Sequence, residues 1–252
     1  MTLTLKGGIR LGLGAVILIL GVGLAACGIS SDDANADLQA GDHSAAHQAN
    51  HSPDAGHHVG ALPREHRLAF MRGHVEAGLA LYRAGEPEMA APHLLHPVSE
   101  THKSERKGLD ELGFEGELFE AVSRALDSGI AADKVEPQLK AAEANLRLVS
   151  QRAGGDTSGI IRFLMDTLAE EYTIAITDGK VTDPGEYQDA FGFAVVARQQ
   201  AQGLQGRGKS QVISKINALI EMWPEEGPIP PSNPASVEKI TAKTTEIQAL
   251  LQ

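Results

Sequence analysis

Ten histidines stand in this 252-residue chain, and none follows His102. Imidazole is a common ligand of first-row metals and titrates near neutral pH. Its crowding into one part of the chain is therefore the feature with the most chemical content. His66, His74, His93, His96 and His102 occupy the start of the region that can fold. His93, His96 and Glu100 are separated by three and four residues. On one continuous helix that spacing projects two imidazoles and a carboxylate from a single face, with Met89 below them. Such a set can bind a divalent first-row ion. His74, with Glu76, can add a ligand from the preceding helix. Pro97 bears on this geometry, because its ring clashes with the carbonyl of His93 and the helix must kink or stop there. The alternative reading is that His93 and His96 cap or pack the turn while Glu100 starts the next helix.

His43, His47, His51, His57 and His58 lie in residues 28–62, beside Asp32, Asp33, Asp37, Asp42 and Asp54 and without a Lys or Arg. Ala, Ser, Gly and Asn make up most of the remainder, so almost nothing there can fill a core. Such a composition does not offset the entropy of ordering, and a disordered tether is expected. Flexible His- and Asp-rich segments capture transition metals with modest affinity; the bland alternative is a solvated linker. Carboxylates form a third group. Asp166, Glu170 and Glu171 lie along one helix, and Glu186 and Asp189 open the next. They read either as wet surface charges, with Glu186 as a cap, or as a second, harder metal site of Glu171, Glu186 and Asp166 suited to ferric iron.

The elements that must position these groups are helical throughout. Leu68, Met71, Val75, Leu79 and Tyr82 step by three and four, and Gly85 ends that helix. A short segment from Glu86 to His96 follows. Leu112, Phe119, Val122 and Leu126 mark the next helix. Val135, Leu139, Ala142, Leu146 and Val149 mark another, and Ile161, Leu164, Leu168, Tyr172 and Ala175 a third that stops at Asp178-Gly179. Asp183-Pro184-Gly185-Glu186 reads as a helix start, with aspartate as N-cap and proline in the first turn. Ile213, Ile216, Ile220 and Trp223, then Val237, Ile240, Thr244, Ile247 and Leu251, complete the set. No convincing strand is found. The fold class is all-α: an antiparallel bundle of about seven to eight helices over 63–252.

The first 26 residues supply Lys6 and Arg10, an apolar run from Leu11 to Leu24, and small residues, the build of a secretory signal peptide. Leu24-Ala25-Ala26-Cys27 resembles the bacterial lipobox. That resemblance implies cleavage before Cys27 and a diacylglycerol on its sulfur, so residues 27–62 become a lipid-anchored tether. The expected location is the cell envelope, on a membrane and facing the periplasm. With Cys27 as the sole cysteine there is no internal disulfide. A net charge of −11 argues against nucleic acid as a partner.

Further along, Leu164-Met165-Asp166, Glu171-Tyr172, Asp178-Gly179-Lys180-Val181, Glu186-Tyr187-Gln188 and Phe193 resemble a pattern in the extracytoplasmic helical extension of bacterial high-affinity iron permeases. The resemblance implies a membrane-tethered relative of that extension, one that presents iron to a permease. No Gly-x-Ser-x-Gly elbow and no His-Glu-x-x-His pattern appears, and no phosphate-cradling glycine loop is expected. An enzyme is therefore not expected. The combined reading is an envelope lipoprotein that binds a transition metal, iron first and copper or zinc next, and delivers it to a metal permease or another envelope protein. The alternative is a structural lipoprotein without metal, acting as an adaptor for an envelope complex.

Overall fold

Apolar stripes at helical spacing need facing surfaces, and the chain supplies them to one another in two layers. The structure, a computed structural model, describes residues 61–99 and 102–251. The segment 1–26, Cys27, the five tether histidines (His43, His47, His51, His57, His58) and Glu100 lie outside the described residues. Among the described residues eight α-helices run in order: α1 (Arg64–Arg83), α2 (Pro87–Leu95), α3 (Gly116–Asp127), α4 (Ala132–Ala153), α5 (Thr157–Ala175), α6 (Pro184–Ala201), α7 (Lys209–Ile220) and α8 (Val237–Ala249).

The first layer is α1 to α4, closed around Leu68, Met71, Val75, Leu79, Phe119, Leu139 and Leu146. The second is α5 to α8, closed around Ile161, Leu164, Leu168, Phe193, Ile216, Ile240 and Ile247. α1 belongs to both, since Ala69 and Phe70 turn from it into the second core. Tyr172, Tyr187 and Trp223 meet there as a ring cluster, with centroids 5.5–5.9 Å apart. The Trp223 indole donates to the Tyr187 carbonyl at 3.2 Å, and the Tyr172 hydroxyl to that of Ala235 at 2.8 Å. A buried aromatic with a polar tip needs such a partner.

The starts of the helices follow their caps. Asp156 accepts from the amides of Ser158 and Gly159 ahead of α5. Asp183 accepts from Gly185 and Glu186 ahead of α6, with Pro184 in the first turn, as its sequence predicts. Four details differ from expectation. Leu112 is not part of α3 but ends a separate 3-10 turn, Asp110–Leu112. Trp223 lies past the end of α7. The stop after α5 is not a plain turn: Ile176–Thr177 and Lys180–Val181 pair as a minimal antiparallel hairpin. Asp178 and Gly179 occupy its tip with φ of 51° and 72°, the doubly left-handed turn that Asp-Gly favours.

The fourth difference is a motif. Gly203-Leu204-Gln205-Gly206-Arg207-Gly208-Lys209-Ser210 does fit the spacing of a phosphate-binding glycine loop. Here it joins α6 to α7, so a helix and not a strand leads into it, and the strand–loop–helix cradle is not formed.

Candidate metal centre

Two helices can bring side chains from opposite ends of a chain together only if nothing holds their backbones apart. At the crossing of α1 and α6 nothing does. A Cβ on Gly192 would lie 1.9 Å from the Gly73 carbonyl oxygen, and one on Gly73 would lie 2.1 Å from the Phe193 ring. A third glycine, Gly78, lets α2 close on α1, since its Cβ would sit 2.9 Å from that of His93. These contacts force three neighbouring residues into one place: His74 beside Gly73, Asp189 one turn before Gly192, and His93 across from Gly78.

The Asp189 carboxylate is the hub. Its Oδ1 lies 2.7 Å from His74 Nδ1 and 2.8 Å from His93 Nδ1. Both His93 and Asp189 have side chains only 1% exposed. The other nitrogen of His93 lies 2.8 Å from the side-chain oxygen of Gln188, and the Gln188 amide donates to the Met89 sulfur at 3.2 Å. Only an N–H can face the thioether, so the Gln188 oxygen must face His93, and His93 Nε2 must be the donor. Its Nδ1 is then directed at Asp189 either as a second N–H or as a lone pair. The first choice makes His93 a cation; the second leaves a nitrogen and a carboxylate oxygen facing each other across space for an ion. Two donors bound to one ion at about 2.1 Å and at a right angle stand about 3.0 Å apart, close to the spacing seen here. Buried polar atoms remain nearby. Among the described residues His74 Nε2 and Asp189 Oδ2 find no hydrogen-bond partner.

Electrostatics agree with a site built for positive charge. Burial alone would raise Asp189, but His74 and His93 together outweigh it and hold its carboxyl well below the usual range. Burial alone would lower His93, but the charge and hydrogen bond of Asp189, with Gln188 and Glu186 behind, leave it raised.

His96 goes elsewhere. α2 ends at Leu95, and His96 opens a 3-10 turn with Pro97 and Val98, so His93 and His96 do not share one helical face. His96 Nε2 lies 2.6 Å from a Glu105 carboxylate oxygen, and His102 stacks on the His96 ring with centroids 3.7 Å apart. On its other side His96 stacks on His74 at 4.0 Å. Phe70 meets both of those rings edge-on. Burial, and then the neighbouring imidazoles His74 and His102, hold His96 well below its ordinary value, in the neutral form that binds metals. One donor from each of His74, His93 and Asp189, and likewise from each of His96, His102 and Glu105, lies within 4.8 Å of the others in its group.

The remaining candidates separate. Glu171 hydrogen-bonds Glu186, and burial, then that contact, push its carboxyl up to about 10. Glu186 is thus paired with another acid across two helices instead of closing a capping box. Asp166 is not with them; exposed on α5, it accepts from Gln248 of α8 at 2.6 Å. Glu76 also turns from His74. It accepts from Gln199 at 2.8 Å, in a buried network where Arg72 donates to Ser150 and Gln199. Desolvation lowers Arg72 to about 10 and raises Glu76. His66 stacks on Phe163.

Sequence reasoning did not single out Glu105 or the pairing of His102, and it read Asp189 as a helix-opening surface charge. The signal available for Asp189 was Gly192 one turn later, a residue without a side chain on the same face, where another helix can come close.

Comparison with known proteins bears on one half of this geometry. Residues 154–252 match the iron permease-associated 4-helix bundle domain. The matched span holds α5, the hairpin, α6, α7 and α8, and includes the stretch from Leu164 to Phe193 that resembles the permease extension. A search of curated proteins and one of solved structures returned no match. Among the described residues no helix is long and apolar enough to cross a membrane.

Proposed function

We propose that this protein is an accessory of iron transport that holds a transition metal between His74, His93 and Asp189 and passes it to a membrane permease. The observation that carries this reading is the orientation of His93. Its Nε2–H is committed to Gln188, so its Nδ1 faces the Asp189 carboxylate where an ion can replace a proton. Iron is the first candidate because of the matched bundle; copper and zinc are next because two imidazoles and one carboxylate suit them. Glu186 adds negative charge near His93, while Glu171 holds a proton against it. The role is one of transport and not of catalysis.

The N-terminal features complete the proposal. Cys27 carries the lipid that keeps the protein on a membrane of the cell envelope, facing the periplasm. His43, His47, His51, His57 and His58 raise the metal concentration near the body. A metal-free adaptor is the competing reading, and elemental analysis of untagged full-length protein separates the two.

The decisive measurement uses the full chain with those five histidines changed to alanine, titrated calorimetrically with ferrous iron under anaerobic conditions. Asp189→Asn should weaken binding by at least about tenfold, since it removes the only charged oxygen among the three donors. Unchanged stoichiometry and affinity in Asp189→Asn and His93→Gln alike would falsify the assignment.

A further inference from the structure

We propose that His96, His102 and Glu105 form a second metal position, and that a divalent first-row ion loads there before it reaches the Asp189 centre. The inference rests on the reading of that centre as a metal site and adds the route into it.

Three observations carry it. The first is convergence: one donor atom from each of the three residues lies within 4.8 Å of the others. The second is a loop held in place from outside. The stretch from His102 to Leu109 has no regular helix or strand. Yet Arg67 of α1, only 8% exposed, donates to the carbonyls of Ser104, Glu105 and Lys107 at 3.0–3.1 Å. Arg106 ties the same loop to the carbonyls of Pro97 at 3.2 Å and Ser99 at 2.6 Å. Ser99 Oγ, 2.7 Å from His102 Nδ1, orients that ring. A buried guanidinium spent on three main-chain carbonyls fixes donors that a free loop would scatter, which is what a metal position requires of its supports.

The third is the connection. The rings of His102, His96 and His74 form one continuous stack, with interplanar angles of 18° and 15°. His74 is a ligand of the inner centre and His96 of the outer one. An ion released by His96 has its next nitrogen one ring away. Within the outer trio His102 is half-buried, while Glu105 is 3% and His96 6% exposed, so metal entering there would meet His102 first; in the inner centre Asp189 is 1% exposed and the His74 side chain 12%.

Two imidazoles and a carboxylate select a borderline ion such as ferrous iron, cobalt or zinc over calcium or magnesium, which require oxygen ligands. The step is ligand exchange without redox: bonds to His96, His102 and Glu105 break as bonds to His74, His93 and Asp189 form.

The test uses Co²⁺ as a coloured probe and the full chain with the five tether histidines changed to alanine. Equilibrium titration gives the number of ions bound, and stopped-flow absorbance gives the loading rate. His102→Gln and Glu105→Gln should each bind one ion fewer and fill the inner centre about tenfold more slowly, with far-UV circular dichroism unchanged. Asp189→Asn should lose the inner ion and keep the outer one. The proposal is overturned by His102→Gln and Glu105→Gln variants that keep both the wild-type ion count and loading rate, whatever Asp189→Asn does. If Asp189→Asn alone leaves the count untouched, it is the inner centre that fails, and the outer position stands without a destination.

Discussion

The two layers of the protein divide the donor atoms by element. The α5–α8 bundle, which carries the likeness to the iron permease-associated domain, contains no histidine and contributes only oxygens: Asp189, Glu171 and Glu186. The α1–α4 layer lies outside that match and supplies every described imidazole. Its oxygen near the stack comes from Glu105. A bundle of carboxylates alone suits hard ferric iron, whereas nitrogen in the set shifts preference toward divalent iron, zinc and copper. An oxygen-donor bundle is thus set against a second layer that brings nitrogen, and the proposed centre lies on the seam between them.

The largest effect should come from separating the layers. Gly192→Ala drives a methyl into the Gly73 carbonyl, with backbone on both sides and nowhere to yield. A loss of about 3 kcal/mol or more of stability is expected, at the upper end of overpacking costs. Metal stoichiometry should fall with it. Thermal unfolding and metal analysis check this together, and a variant with wild-type Tm would mean the α1–α6 seam is looser than the approach of Gly192 to Gly73 implies.

Next comes a comparison inside the oxygen-rich layer. Glu171 keeps a proton in the folded state up to about 10, while an unfolded glutamate releases it near 4.5. The folded state thus binds one more proton across that window, so stability must fall as pH rises through it. The slope is at most about 1.4 kcal/mol per pH unit. Glu171→Gln, which is neutral at every pH, should match wild type below pH 4.5 and exceed it increasingly toward alkaline pH. Denaturant unfolding with a chelator present, from acid to alkaline buffer, measures both curves. Parallel curves would show that the Glu171–Glu186 contact does not retain its proton.

The smallest effect belongs to the surface of the same bundle. Lys215 and Glu246 join α7 to α8 at 2.8 Å, with side chains 38% and 45% exposed. Lys215→Ala should cost less than about 1 kcal/mol and that little should shrink in salt. Metal binding should not change. If it does, the division of labour between the layers is drawn in the wrong place.

What could be read from the sequence was what repeats locally. The stripes Leu68 to Tyr82 and Ile161 to Ala175 announced α1 and α5, and Asp183 announced the start of α6, because helix periodicity and capping are set by residues a few positions apart. The pairing of His74 with Asp189 spans 115 positions and depends on a glycine contact that exists only after two helices have crossed. His93, His96 and Glu100 read as one face, but α2 ends at Leu95, ahead of Pro97, and His96 leaves with the 3-10 turn that follows. Glu105 carried no local mark at all; its place comes from Arg67, far upstream in α1.

The seam also orders events during synthesis. A chain made from its amino end has every imidazole before α6 exists, and the outer trio is complete by residue 105, whereas Asp189 arrives more than eighty positions later. Until then the inner nitrogens have no oxygen to close on. On the proposed reading, a newborn molecule cannot lock up an ion at depth until α6, which carries Asp189, has been made and has docked on α1.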